Sequence, residues 1–595
     1  MAKIIPHQLT TPWEPAQPIP WQEYPRPQMR RENWQNLNGF WEYSILDQKQ
    51  PKPDVFQGRI LVPFPPESRL SGVERVLQPD EKLWYRRSFE IEFDEADSVL
   101  LHFGAVDFSC QVWVNGILVG DHWGGYLPFS FEITQALRSG ENELLVMVTD
   151  PTEQAMHQKG KQRLEPGGIW YSAVSGIWQT VWLEVVPKSH IKSLKITPSI
   201  DTGTVELKVK LSQPALEQGC RIEATALLDG AVIANAQGSA RSTLMLQIPD
   251  AQLWHPDHPT LYDLEIKLSR FDEVVDRVES YFAMRKFSKM KDQTGFWRFA
   301  LNNEILFQYG PLDQGYFPEG LYTPPNEEAM LFDIRYAKEI GCNMIRKHVK
   351  VENARWYYAC DRLGMIVWQD LPNGGRTTKD AVVLFSFTSG IHRYDQHRFR
   401  RFGREDPQNR EEYRAELQDM IEQLYNYPCI GVWIPFNESW GQFQAIKISD
   451  WVKILDPTRL VDHASGWFDQ GGGDFQSRHV YFKRLSARVP DHRILAVTEF
   501  GGYTLAVSDH IYTDKKRFGY GHHKDAESLT KAYLKLLEDQ VKPLIPKGLS
   551  AAIYTQLSDI ETEINGYLTY DRKVQKMDPQ VLRKIHRELI ETKIQ

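Results

Sequence analysis

The sequence predicts a multidomain β plus α/β chain: an N-terminal jelly-roll-type β-sandwich, an immunoglobulin-like β-sandwich and a C-terminal (β/α)8 TIM barrel. Three observations predict it. Short alternating apolar/polar runs separated by turn residues fill the chain to about position 285. The rhythm then changes to strand–helix alternation. That alternation supplies eight strand candidates over roughly 310 residues. The 595 residues would average out to about four domains, but barrels and large sandwiches exceed the average size, so three suffice.

Residues 1–187 form the first sandwich. In VWVNGILVG, Asn115-Gly116 sits between alternating apolar runs, the signature of a type I′ hairpin turn, which needs positive φ at both positions. NELLVMVTD and IWQTVWLEVV repeat the alternation. Residues 188–285 continue as IKSLKITPSI, TVELKVKLS, CRIEATALLDG, STLMLQI and LYDLEIKLS, spaced as in a smaller immunoglobulin-type sandwich. LWHPDHPTLY, with two prolines, reads as a loop or crossover.

Residues 286–595 form the barrel. ILFQYG precedes a helical stretch with Met330, Ile334, Ala337 and Ile340 on one face and Gly341 as its stop. NMIRKH, a helix around ENARWYYACDRLG and MIVWQD follow. A long helix spans roughly 406–426, with Tyr413, Leu417, Met420, Ile421 and Leu424 at helical spacing. IGVWIPFNES, LVDHASG, HVYF, ILAVTEFGG and SAAIYTQLSD are the remaining strand candidates.

Composition narrows the function. Hydrophobic residues at 42% and charged residues at 25% are ordinary globular values. A net charge of −8 argues against a nucleic-acid or membrane-surface partner. The five cysteines (Cys110, Cys220, Cys342, Cys360, Cys429) lack metal-ligand spacing and read as free thiols of a reducing compartment. The first twenty residues lack an apolar signal region, and no run of eighteen apolar residues occurs, so a soluble cytoplasmic protein is expected. Eighteen tryptophans suit either large β cores or rings that stack on sugars.

In a TIM barrel, functional groups gather where strands end. Those positions are Asp313, Arg346, His348, Asp370, Asn437, Glu438, Trp467, His479, Glu499 and Gln556, a strongly polar set. Glu438 follows the apolar strand IGVWIPF and Glu499 follows ILAVT. A carboxylate at the end of a buried strand is costly unless paired or hydrogen-bonded. A structural ion pair with Arg346 or Lys347 is one reading. Two glutamates across one barrel mouth also suit a nucleophile and an acid/base for double displacement at a sugar carbon. No cofactor or metal constellation stands out.

LNGFWEYS, LWYRRSFEI, VWVNGILVGDHWGGYLPFSFEIT, SGIWQTVWLE, LNNEILFQYG, WIPFNESWG, DPTRLVDHASGW and VTEFGG, in this order, resemble the landmarks of glycoside hydrolase family 2, nearly end to end. That family contains β-galactosidases, β-glucuronidases and β-mannosidases. The resemblance implies Glu438 as acid/base, Glu499 as nucleophile and Asn437 as the partner of the sugar 2-hydroxyl. Arg346 could keep Glu499 ionised. His348 and His479 could bind hydroxyls or orient a carboxylate, or be satisfied core histidines. Asp313 and Asp370 are candidates for gripping sugar hydroxyls. Trp440 and Trp467 could stack on a sugar or pack in the core. Asn565 lies after strand eight and could be a turn residue.

Three departures bear on the substrate. Tyr309-Gly310-Pro311-Leu312-Asp313-Gln314 stands where familiar members carry a Gly-Val-Asn-Arg-His type stretch. Asn565-Gly566-Tyr567 lacks the lysine with which glucuronidases grip a carboxylate, which ranks a neutral galactoside above a glucuronide. The chain also ends near the barrel's last helix, so the extra domains of the large β-galactosidases are not expected. The arginine-rich stretch 371–406 reads as a pocket-shaping or solvated surface loop. The expected activity is therefore a retaining exo-β-glycosidase, first on β-galactosides. The alternatives are a β-glucuronide, a β-mannoside, or a furanoside such as galactofuranose or arabinofuranose. A noncatalytic carbohydrate-binding protein is the reading from another class. The partner is a carbohydrate, and assembly into homo-oligomers is common in the family.

Overall fold

A computed structural model describes residues 9–13, 18–217, 219–376, 393–481, 483–486 and 491–594. Among these, no helix is long and apolar enough to cross a membrane. All five cysteines are buried and unpaired with one another.

The first sandwich packs a six-stranded antiparallel sheet on a four-stranded one. Trp41, Leu83, Tyr85, Val112 and Val146 from the larger sheet meet Val99, Leu101 and Leu183 from the smaller, all in one core. Burial alternates along these strands because successive side chains face opposite sides. Asn115 and Gly116 have φ of 51° and 81° and join Ser109–Val114 to Ile117–Trp123, as the hairpin signal predicts. Gly176 has φ of 73°, and a Cβ there would lie 2.1 Å from the Tyr85 hydroxyl, so both backbone and packing require glycine.

The second sandwich pairs a three-stranded with a four-stranded sheet. Ile196, Leu207, Ile222, Ala224, Leu264 and Val278 fill it. The segment with LWHPDHPTLY carries no strand between Leu244–Gln247 and Tyr262–Arg270, as its two prolines suggest.

The barrel strands are β1 (Gln308–Asp313), β2 (Met344–Lys347), β3 (Ile366–Asp370), β4 (Ile430–Ile434), β5 (Leu460–Val461), β6 (Phe475–Val480), β7 (Ile494–Gly501) and β8 (Leu549–Thr555). They lie parallel in the order β5-β4-β3-β2-β1-β8-β7-β6. Side chains join the two ends: Ser477 Oγ donates to Asp462 Oδ1 at 2.7 Å, and Val461 N–H to Asp474 Oδ2 at 2.9 Å. An antiparallel hairpin, Phe287–Lys291 with Trp297–Leu301, abuts the opposite end, where Phe299 N–H donates to Ser550 Oγ. The helices outside are α1 (Glu327–Glu339), α2 (Ala354–Leu363), α3 (Pro407–Leu424), α4 (Ala445–Leu455), α5 (Ala526–Leu536) and α6 (Pro579–Ile590). α3 buries Tyr413, Leu417, Met420, Ile421 and Leu424, the stripe read from the sequence. Each such side chain contributes about 1.5–3 kcal/mol of apolar burial.

Residues 377–392 of the arginine-rich stretch lie outside the described residues. Its far end departs from a solvated loop. Arg404 is fully buried and donates to Gly441 O, Gln158 Oε1 and Asn409 Oδ1. It thereby ties the segment after β4 to the first sandwich. Arg398, Arg400 and Arg401 are exposed.

Candidate active site

The C-terminal ends of β2, β3, β4, β6 and β7 converge on one buried polar cluster built around Arg346. Its Nε and Nη2 donate to the two oxygens of Asp370, each at 3.0 Å. Nη2 also donates to Asn437 Oδ1 at 2.7 Å, and Nη1 to Glu499 Oε1 and Thr498 O, each at 3.2 Å. Burial alone would lower the guanidinium pKa, but Asp370 and Glu499 outweigh it and raise it further. The fixed fork of an arginine suits this two-carboxylate role, which a lysine could not fill.

Glu499, at the end of β7, is held at both oxygens. Oε1 accepts from Arg346, and Oε2 accepts from the Tyr481 hydroxyl at 2.5 Å. Tyr481 also meets Thr555 Oγ1 at 3.0 Å. Glu438, just past β4, has φ of 49° and Ser439 has φ of 63°. Both are left-handed, sterically costly conformations of the kind that cluster at functional sites. The Glu438 N–H donates to Ser465 O at 2.8 Å, which anchors the turn.

His479 stands between the two glutamates. Its Nδ1 lies 2.8 Å from Glu438 Oε1 and 3.4 Å from Glu499 Oε2. One oxygen of each glutamate and a His479 nitrogen all lie within 4.8 Å of one another. Burial pushes the Glu438 carboxyl up, but the His479 hydrogen bond together with the charges of His479, Lys161 and Arg346 brings it below the ordinary glutamate value.

The other positions read from strand ends also reach the mouth, with their own partners. Asp313 pairs with Lys347 at 2.5 Å and accepts from Gly315 N–H at 2.9 Å. Lys347 also pairs with Glu352 at 2.8 Å, and these two carboxylates hold the ammonium pKa at about 12 against burial. Asp370 binds Arg346, the Val349 N–H and His348 Nδ1. Both aspartates thus first neutralise protein cations. His348 Nε2 and Gln556 Oε1 are buried without a hydrogen-bond partner among the described residues. Gln556 Nε2 donates to Asn565 Oδ1 at 2.9 Å, so Asn565 braces the site rather than merely turning the chain. Trp467 and Trp440 are half-buried at the rim. Trp467 meets His479 with ring centroids 6.5 Å apart, and Trp440 meets Trp170 of the first sandwich at 5.5 Å.

Sequence reasoning missed Tyr481, Glu563 and the sandwich residues Lys161, Trp170 and Tyr171. Tyr481 had a legible signal: it lies two residues beyond His479, so strand alternation puts both on one face. The others come from loops and one two-residue strand whose approach no local pattern encodes. Two groups of described residues bring metal-ligating atoms within 4.8 Å: Glu438, His479 and Glu499 here, and Asp107, Asp150 and His157 in the first sandwich.

Comparison with known proteins bears on the family and the fold. Three family models match consecutive stretches: the galactose-binding-domain-like model of glycosyl hydrolase 2 over residues 70–177, the glycosyl hydrolases family 2 model over 189–285, and that family's TIM barrel model over 325–546. A β-galactosidase of Thermoanaerobacter pseudethanolicus is 24% identical over 447 residues, 71% of this chain and 54% of that protein. A β-galactosidase of Halalkalibacterium halodurans is 26% identical over 404 residues, 64% of this chain and 36% of its own length. The chain spans about a third to a half of the length of the curated relatives it matches. Among solved structures, the β-D-glucuronidase of Dictyoglomus thermophilum superposes with a TM-score of 0.72 at 17% identity, covering 96% of this chain and 99% of that one. A β-galacturonidase of Eisenbergiella tayi bound to galacturonate gives 0.70 at 17% identity, covering 95% and 99%.

Proposed function

This chain belongs to family 2 of the glycosyl hydrolases, and we propose that it is a retaining, exo-acting β-glycosidase with a terminal β-galactoside as its first substrate. One observation carries the retaining reading: oxygens of Glu438 and Glu499 lie within 4.8 Å of each other. Double displacement needs carboxyls about 5 Å apart, whereas inversion needs about 6.5–9.5 Å to admit a water between carboxylate and sugar.

Glu499 attacks the anomeric carbon while Glu438 passes its proton to the departing glycosidic oxygen. The Arg346 and Tyr481 hydrogen bonds fix the nucleophile's orientation beforehand, so little reorganisation accompanies attack. In the second half, Glu438 takes a proton from water, the water attacks the same carbon, and Glu499 leaves as carboxylate. Asn437 points its Oδ1 at Arg346, which leaves its amide hydrogens for the sugar 2-hydroxyl. A site used only for binding has no need for a carboxylate clamped at both oxygens beside a second one.

A neutral sugar fits better than a uronide. The loop after β8 carries Glu563 and Asn565, a carboxylate and an amide, and the Glu563 carboxylate opposes a uronate.

A panel of nitrophenyl glycosides, assayed with wild type and Glu499→Ala with and without azide, tests the reading. Turnover by the wild type, loss in the variant and an azide-made glycosyl azide of inverted configuration would establish the nucleophile. Undiminished turnover by Glu499→Ala would remove it from that role.

A further inference from the structure

The first sandwich reaches the barrel mouth through one short segment. Gln162–Arg163 pairs in parallel with Tyr171–Ser172, and the Tyr171 N–H donates to Lys161 O at 2.9 Å. This places the Lys161 ammonium 5.8 Å from the Tyr171 ring centroid. The Tyr171 hydroxyl donates to Glu563 Oε2 at 2.5 Å, and Glu563 Oε1 accepts from Asn565 at 2.9 Å. Asn565 in turn holds Gln556, at the end of β8. A continuous chain therefore runs from the sandwich lysine to the barrel wall.

Lys161 is half-buried, yet no carboxylate among the described residues lies within ion-pair distance of it. Burial raises the Glu563 carboxyl and lowers the His348 imidazole; the Lys161 charge opposes the first shift, adds to the second and favours the ionised form of Glu438. Lys161, beside the Tyr171 ring whose hydroxyl holds Glu563, therefore offers a donor near an acceptor with which it is not paired. A pair of adjacent sugar hydroxyls has the matching complement, since each hydroxyl both accepts and donates. An anionic group would satisfy Lys161 but meet the Glu563 carboxylate next to it, with only one cation to share.

We propose that Lys161 and Glu563 form a hydroxyl-binding subsite for the terminal sugar, Lys161 donating to one hydroxyl and Glu563 accepting from its neighbour, so that the N-terminal sandwich completes the substrate pocket. This rests on the glycosidase reading above. The subsite selects a neutral sugar bearing a vicinal diol at the reach of Lys161. Its role is in binding and discrimination, away from the reacting carbon.

The test uses the full chain, with Lys161→Met, Lys161→Arg and Glu563→Gln assayed on nitrophenyl β-galactoside, its 3-, 4- and 6-deoxy analogues, and the corresponding glucuronide and galacturonide. Lys161→Met should lower kcat/KM on the parent sugar about 10- to 100-fold, mainly through KM, at an unchanged melting temperature. Wild type should reject one deoxy analogue strongly, and Lys161→Met should lose that discrimination alone. Lys161→Arg should restore part of it. Glu563→Gln should relax discrimination at the same or the adjacent hydroxyl. Equal losses on every analogue, or no loss, would overturn the subsite. So would a wild-type preference for uronides that Lys161→Met abolishes, because Lys161 would then read a carboxylate. Absence of wild-type turnover on every glycoside of the panel would overturn the glycosidase reading itself, an outcome separable from all of these.

Discussion

His479 Nδ1 lies 2.8 Å from Glu438 Oε1, and the same imidazole stands 3.4 Å from Glu499. One ring therefore links the two proposed catalytic carboxyls and sets the proton affinity of one of them. Burial pushes Glu438 up, and the His479 hydrogen bond, with the charges of His479, Lys161 and Arg346, holds it below its ordinary value in the free site.

A pH profile follows from that sign. Glu438 must carry a proton to release the leaving group, so the alkaline limb of kcat/KM reports loss of that proton. His479→Ala removes the interaction that favours the ionised form, the Glu438 pKa rises, and the limb moves to higher pH. Profiles of kcat/KM for wild type and His479→Ala check it; a limb that moves downward or stays put contradicts the coupling.

Glu438→Ala should show leaving-group dependence. Glycosides with a dinitrophenyl leaving group need little protonation and should lose little in the first step. Alkyl glycosides should lose about 10²- to 10⁴-fold, the usual size of general acid catalysis. Pre-steady-state rates across a leaving-group series measure this.

Tyr481→Phe removes the hydrogen bond to Glu499 Oε2 while keeping the ring that stacks on Tyr520, 4.5 Å away. Activity should fall by about 10²-fold, comparable to loss of one preorganised donor, with little change in melting temperature. Steady-state kinetics and thermal unfolding separate the two effects.

Arg346→Met should destabilise the fold as well as silence the site. It leaves Asp370 and Glu499 buried without their cation, and breaking such a buried network typically costs about 3–5 kcal/mol. Denaturant unfolding of the variant gives the stability loss directly. Substitution of both Arg346 and Asp370 by apolar residues should recover part of it, because the unpaired charge at Asp370 is then gone.

Much of the fold was legible because it follows from short-range periodicity. The Asn115-Gly116 turn, the buried stripe of α3 and the apolar strands ending in Asn437-Glu438 and Glu499 each state locally which side faces inward. The polar residues after those strands were legible as a group, since a barrel brings all its strand ends to one rim. Their individual partners were not. Asp313 meets Lys347, Asp370 meets Arg346 and His348, and Arg404 is buried instead of solvated.

The sequence by itself determined the kinds and order of the folding units, which face of each strand is buried and which residue types gather at the barrel mouth. Tertiary structure alone decided that His479 stands between the two glutamates, that Tyr481 clamps one of them, and that Tyr171, beside Lys161, arrives from the first sandwich to hold Glu563. The reason is physical. Burial pattern is written in residues two to four apart, whereas a hydrogen bond between residues hundreds of positions apart exists only after barrel closure and domain docking have brought them together.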